Sequence, residues 1–233
     1  MRKEASMRDF ANGFSCCLAL GMIVLTGMTA MVFPPLAWAD DGNGPEGAIV
    51  AVGNSLTEGL GVGPHEAYPA RLEAKLRKAG YDYKVVNAGV SGETSGGLKS
   101  RVEWVLKLKP DIVVVCTGAN DGLRGLDPAL TEKNLHAIVE AFSDYGAVVV
   151  LAGMRMVGNM GEAYTEAFEK IYPSVARKHS VLFMPFLLKD VAGKPGLNQE
   201  DAIHPNARGY EIVAENVYPY VLKAIERHRS SKS

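Results

Sequence analysis

The chain has 233 residues, with 25 Lys and Arg against 26 Asp and Glu and a formal net charge of −1 at pH 7. Because the charge is balanced and no long basic run is present, the sequence argues against a nucleic-acid partner. Three cysteines are too few for a disulfide framework, so an apolar core must hold the fold together.

The first 39 residues have the pattern of a secretory signal peptide. Basic residues precede an apolar run over residues 14–33, and the sequence AWA ending at Ala39 is a small-x-small cleavage pattern. The alternative is an uncleaved N-terminal membrane anchor, since a run of this length can just span a bilayer. We expect cleavage, which leaves residues 40–233 as one exported domain, periplasmic or secreted, with no stable membrane insertion. The sequence leaves the oligomeric state open.

From Gly47 onward, short apolar runs rich in β-branched residues alternate with amphipathic stretches. The predicted strands cover residues 48–52, 83–86, 112–116, 147–151 and 181–185. The predicted helices cover residues 69–79, 98–108, a stretch opened by Asp127-Pro128, 161–178 and 206–227, with interruptions at Pro173 and Pro219. Nearly continuous apolar strands separated by helices indicate a parallel sheet buried on both faces. The sequence therefore predicts a three-layer α/β/α sandwich with a five-stranded parallel sheet.

Four polar motifs lie next to these strands. Ser55 in GNSL follows the first strand, Gly89 in NAGVSGETS follows the second, and Asn120 in GAND follows the third. His204 in DAIHPN lies between the fifth strand and the last helix. Each motif alone could be a helix cap or a turn. Because parallel strands end at the same edge of a sheet, where ligands bind, we expect the four to converge.

These residue types together suit acyl transfer. A serine hydroxyl is a weak nucleophile, and His204 could take the proton of Ser55 as general base. Asp201, three residues before the histidine, could accept a hydrogen bond from its other ring nitrogen. The oxyanion of a tetrahedral intermediate needs donors, for which the backbone N–H groups of Ser55 and Gly89 and the side-chain amide of Asn120 are the candidates.

With these motifs in this order, the sequence resembles the SGNH hydrolase superfamily, also called GDSL esterases and lipases. It is most similar to the bacterial thioesterase I, lysophospholipase L1 and arylesterase subgroup, to which ANDGLRGLDP, EAFEKIYP and IHPNARGY also correspond. The resemblance implies a flavodoxin-like three-layer fold over residues 40–233, a serine mechanism without metal or cofactor, and often an exported location. One departure is Asn54, where the family usually has Asp. The asparagine side chain keeps an acceptor oxygen but lacks the negative charge of an aspartate.

The sequence says less about the identity of the substrate than about the type of reaction. Met154 and Met156 lie in an apolar loop after the fourth strand, and adaptable methionines could form a wall for an acyl chain, with Leu123 facing them. We therefore expect a small-molecule or lipid-like ester or thioester with an apolar acyl group. The alternatives are a cell-wall carbohydrate acetyl esterase or acyltransferase, which would need a polar pocket, and a binding module whose catalytic site has decayed.

Overall fold

The computed structural model describes residues 44–156 and 160–232. The predicted signal peptide lies outside these residues. Within them, no helix combines the length and the apolar composition that a bilayer crossing requires.

Five parallel strands form one sheet in the order β2-β1-β3-β4-β5. The strands are β1 (Gly47–Gly53), β2 (Tyr83–Gly89), β3 (Ile112–Cys116), β4 (Val148–Ala152) and β5 (Leu182–Met184). The central strand β3 is buried at all five positions, as the unbroken β-branched sequence IVVVC predicts. The predicted fold is confirmed, and the strand order reverses at β1.

Helices cover both faces of the sheet. One group comprises α2 and α8, which contact each other, and the other comprises α3, α4, α6 and α7, which pack together through α6. The helices are α1 (Ser55–Glu58), α2 (Tyr68–Lys78), α3 (Ser95–Ser100), α4 (Val102–Leu106), α5 (Ala119–Leu123), α6 (Pro128–Asp144), α7 (Glu162–His179) and α8 (Ala207–Lys232). This grouping follows from right-handed crossovers, which put connections running in opposite directions along a sheet on opposite faces.

The predicted interruptions at Pro173 and Pro219 were wrong, because α7 and α8 each continue through their proline. A proline inside a helix costs about 3 kcal/mol. Burial of Phe168 and Tyr172 on α7, each worth about 1.5–3 kcal/mol, is enough to offset that cost. Conversely, the single helix predicted over residues 98–108 is divided into α3 and α4 at Arg101.

The register aligns the ends of three strands. Gly53 at the end of β1 pairs with Gly89 of β2 on one side and with Cys116 of β3 on the other. The segments that leave β1, β2 and β3 therefore start side by side, at the point where the strand order reverses. Open α/β sheets bind ligands at this point, so the fold brings the polar motifs together.

Candidate active site

Ser55 is presented by a tight turn from β1 into the short helix α1. Asn54 is the N-cap, and its Oδ1 accepts a hydrogen bond from the backbone N–H of Leu56 at 3.0 Å. Asn54 is buried, and Ser55 is 8% exposed. An amide at this position therefore does the capping work that a carboxylate would also do.

Ser55, His204 and Asp201 form a continuous hydrogen-bonded chain. Ser55 Oγ lies 2.7 Å from His204 Nε2, and His204 Nδ1 lies 2.6 Å from Asp201 Oδ2. Asp201 Oδ1 also accepts the backbone N–H groups of Ile203 at 2.9 Å and of His204 at 3.0 Å. The backbone N–H and the ring of His204, followed by the N–H of Ile203, lower the pKa of Asp201 to about 2. The ionised carboxylate thus accepts from Nδ1–H, which leaves the Nε2 lone pair facing the serine.

Gln199, which the sequence reasoning missed, ties the histidine loop to the serine side of the site. Its Nε2 donates to the carbonyl of Leu60 at 2.6 Å and to that of Pro205 at 2.9 Å, and its backbone N–H donates to the carbonyl of His204. Leu60 follows α1, so one side chain joins the segment after Ser55 to the segment around His204. The signal in the sequence is that Gln199 lies only five residues before His204.

The structure corrects the predicted oxyanion donor after β2. The Gly89 N–H donates to Oδ1 of Asn87 at 3.0 Å, and Gly89 does not line the pocket at Ser55. Its role is close packing, because a Cβ there would lie 2.2 Å from the backbone nitrogen of Glu58 in α1. Gly92, three residues later in the same motif, does line the pocket.

Three donors remain available around Ser55. The backbone N–H groups of Ser55 and Gly92 donate to no other residue in the part of the chain that the structure describes. Asn120, near the start of α5, directs one N–H of its side-chain amide to the carbonyl of Glu93 at 2.9 Å. Because a carboxamide carries two N–H groups, the second is left for a ligand.

A buried network supports α5, which carries Asn120, and no motif in the sequence indicates this network. Asp121 is 1% exposed and accepts the backbone N–H of Ser95 at 2.8 Å as well as the hydroxyl of Ser95. Asn134 on α6 donates to the Ser95 hydroxyl at 3.1 Å. The starts of α3 and α5 are therefore held together next to the candidate donors.

The pocket at Ser55 has a volume of about 200 Å³ and aliphatic walls. Leu60, Leu123 and Ile203 line it, and each is 45% exposed. Of the three residues predicted to contact the acyl group, Leu123 lines this pocket. Met154 does not, because it is 3% exposed within the core, and Met156 packs behind Gly122 without lining the pocket. Strand β4 ends in the core at Ala152, and the chain stays buried through Gly153 and Met154.

Two other features of the described residues do not belong to this site. A larger cavity of about 510 Å³ lies between the segment after β5 and α8, and it shares no lining residue with the pocket at Ser55. The described residues contain no group of three or more His, Cys, Asp or Glu side chains placed to hold a metal ion. The hydrogen-bonded chain of Ser55, rather than the larger cavity, marks the candidate site, because it couples a serine nucleophile to a base beside a pocket.

Comparison with known proteins agrees with this chemistry. Esterase TesA of Pseudomonas aeruginosa is 39% identical over 172 residues, which are 73% of this chain and 86% of that protein. Thioesterase 1/protease 1/lysophospholipase L1 of Escherichia coli strain K12 is 36% identical over 168 residues, covering 72% of this chain and 79% of that protein. A crystal structure of TesA matches with a TM-score of 0.74 at 38% identity and covers 76% of this chain and 99% of that one.

The family model of the GDSL-like lipase/acylhydrolases matches residues 51–212. That range begins within β1 and ends within α8, so it contains Ser55, Asn120, Asp201 and His204. The chain belongs to the GDSL-like lipase/acylhydrolase family.

Proposed function

We propose that this hydrolase cleaves carboxylic acyl esters or thioesters through an acyl-Ser55 intermediate. The observation that carries the proposal is the hydrogen-bonded chain from Ser55 through His204 to Asp201, with distances of 2.7 Å and 2.6 Å. These distances are within the range at which a base can take the proton of a nucleophile. The relatives named esterase and thioesterase have the same class of activity.

In the proposed acylation step, Ser55 Oγ attacks the carbonyl carbon of the substrate while His204 Nε2 takes the hydroxyl proton. The carbonyl oxygen becomes an oxyanion that the N–H groups of Ser55, Gly92 and Asn120 bind. Each such donor typically lowers the barrier by about 3 kcal/mol. Asp201 stabilises the imidazolium and holds its orientation. The intermediate collapses, the proton on His204 passes to the leaving alcohol or thiol, and the acyl group stays on Ser55.

Deacylation repeats these steps with water. A water molecule attacks the acyl carbon as His204 takes its proton, and the second tetrahedral intermediate expels Ser55 Oγ. The serine recovers its proton from His204, and a carboxylic acid leaves. The residues that perform acylation therefore also perform hydrolysis, and the proposed cycle returns each of them to its starting protonation state.

The pocket favours small apolar groups on the substrate. Its volume of about 200 Å³ is below the ~300–1,000 Å³ of pockets that enclose a drug-sized ligand. Leu60, Leu123 and Ile203 offer apolar contact on its walls, so we infer short to medium acyl chains or an aryl leaving group. A cell-wall sugar acetyl esterase or acyltransferase would need more polar groups around the site, and a decayed binding module would not need the hydrogen-bonded chain.

A chain-length series tests this proposal. We expect p-nitrophenyl esters from acetate to laurate, and acyl-CoA thioesters of the same lengths, to be hydrolysed with an optimum at short or medium length. The Ser55→Ala variant should lose this activity, with Ser100→Ala, on the exposed end of α3, as the matched control. Undiminished hydrolysis by Ser55→Ala would contradict the proposal, and activity confined to acetylated sugars would favour the carbohydrate alternative.

We further propose that residues 1–39 are a signal peptide and that the mature chain is exported. The AWA pattern before Asp40 and the preceding apolar run support this proposal. The intact mass of protein recovered from an exporting host should correspond to a chain that begins at Asp40. Recovery of the full-length chain in the membrane fraction would favour the anchor.

A further inference from the structure

Glu93 and Arg101 form an ion pair beside the candidate oxyanion site. Arg101 Nε and Nη2 lie 2.5 Å and 2.7 Å from the two carboxylate oxygens of Glu93. The side chains are only 7% and 18% exposed, for Glu93 and Arg101 respectively. A Cβ at Gly97 would lie 2.8 Å from Glu93 Cγ, so α3 also packs closely against the acidic side chain. The pair is bidentate and largely shielded from water.

The ion pair holds the loop that follows β2 at two points. Arg101 Nη2 also donates to the carbonyl of Ala88 within β2 at 2.8 Å. The backbone N–H of Glu93 donates to the carbonyl of Val90, which closes a turn with Gly92 at its third position. Gly92 has a φ of 75°, which that position of a type II turn requires and which glycine adopts readily. Arg101 therefore joins the end of the strand to the end of the turn.

The backbone of Glu93 in turn orients Asn120. The Glu93 carbonyl accepts one N–H of the Asn120 amide at 2.9 Å. This bond fixes which end of the amide faces the pocket, because a flipped amide would put its oxygen against the Glu93 carbonyl. The flipped Asn120 amide would also direct its oxygen, an acceptor, toward the developing oxyanion. The hydrogen bond thus selects the orientation in which Asn120 acts as a donor.

We propose that Glu93 and Arg101 are positioning residues that orient the Asn120 amide for the transition state through the Glu93 carbonyl. This inference rests on the proposed function, because it assumes that an oxyanion forms at Ser55. A shielded ion pair is weak support for overall stability, since desolvation offsets the attraction of the charges. Its value here is geometric, because a bidentate pair restricts the loop more than a single hydrogen bond does.

A double-mutant cycle on kcat tests the assignment. The variant Glu93→Gln/Arg101→Gln removes both charges, so neither is left buried and unpaired. We expect kcat to fall about tenfold or more, short of the ~10²–10³ that loss of a whole donor costs, while KM changes less than about twofold. In an Asn120→Ala background the same change should cost at least about threefold less. The nearly isosteric Glu93→Gln alone keeps an acceptor oxygen for Arg101 but removes its counter-charge, so it should also lower kcat.

Controls separate positioning from a general loss of structure. Lys75 and Glu215 form a partly exposed ion pair between α2 and α8, 2.6 Å apart, and Lys75→Gln/Glu215→Gln should leave kcat within about twofold. An equal loss from Glu93→Gln/Arg101→Gln with and without Asn120 would overturn the inference, as would an unchanged kcat. Absence of any Ser55-dependent hydrolysis in the unmodified protein would instead overturn the proposed function.

Discussion

Replacement of Gly89 by alanine tests the close contact between the end of β2 and the helix that carries Ser55. An added Cβ would lie 2.2 Å from the backbone nitrogen and 2.7 Å from the Cα of Glu58. Ordinary contact begins near 3.4 Å, so α1 and β2 must separate by about 1.2 Å (3.4 − 2.2). Both atoms belong to backbone, and no side-chain rotation can relieve the clash.

This displacement has consequences for both stability and activity. Overpacking costs ~1–3 kcal/mol, which for a domain of this size lowers Tm by about 2–12 °C. Ser55 lies three residues before Glu58 on α1, and a shift of about 1 Å in the serine can reduce the rate about hundredfold. Gly89→Ala should therefore lower both Tm and kcat/KM.

Thermal unfolding and p-nitrophenyl ester kinetics measure the two effects. The matched control is Gly96→Ala in α3, where the nearest atoms to an added Cβ are 3.7 Å away. Alanine is the better helix former, by about 0.5–1 kcal/mol, so this variant should be as stable as the natural protein or slightly more stable. If Gly89→Ala kept its Tm within about 1 °C and its activity within about twofold, β2 and α1 would not be in close backbone contact at Gly89.

Three further outcomes follow from the site. Because Ser55 and His204 act as a unit, His204→Ala should lose nearly as much activity as Ser55→Ala, and the double variant should lose little more than either. Additive losses in the double variant would show that the two residues do not cooperate. Asn54→Asp should change kcat by less than about tenfold, ~1.4 kcal/mol, since either side chain can accept the Leu56 N–H; a gain of several hundredfold would show that the charge matters. The pKa of Asp201 is lower in the folded protein, about 2, than in the unfolded chain, about 4. Its contribution to the free energy of unfolding is therefore present above about pH 4 and is lost as the pH falls through about 2. NMR titration of its carboxyl carbon should show a midpoint near 2 rather than about 4.

The fold can be predicted from the sequence because its strands are continuous apolar runs rich in β-branched residues. The run IVVVC has no polar residue to compete with burial, and β3 occupies the five positions that the pattern indicates. Convergence of Ser55 and His204 followed from topology alone, since parallel strands end at one edge. The predicted breaks at Pro173 and Pro219 are wrong because tertiary burial outweighs the local cost of proline and maintains both helices.

Details of the site needed the register of the strands. Gly89 and Gly92 lie in one motif, and the sequence alone does not show which of them faces the site. In the structure β2 continues to Gly89, and the Gly89 N–H already donates to the side chain of Asn87. The sequence likewise predicts an apolar wall of methionines, whereas the pocket is lined by Leu60 and Ile203, which lie in glycine-rich and polar surroundings without helical or strand periodicity. Isolated aliphatic residues in such loops carry no periodic signal, and only the folded chain brings them around Ser55.

Covalent trapping tests the central claim that Ser55 is the nucleophile. The protein would be treated with a fluorophosphonate probe, digested and analysed by mass spectrometry. We expect a single adduct on Ser55, no labelling of Ser55→Ala, and loss of ester hydrolysis in proportion to labelling. An adduct on another serine, such as Ser91 in the same pocket, or full activity after complete labelling of Ser55, would contradict it.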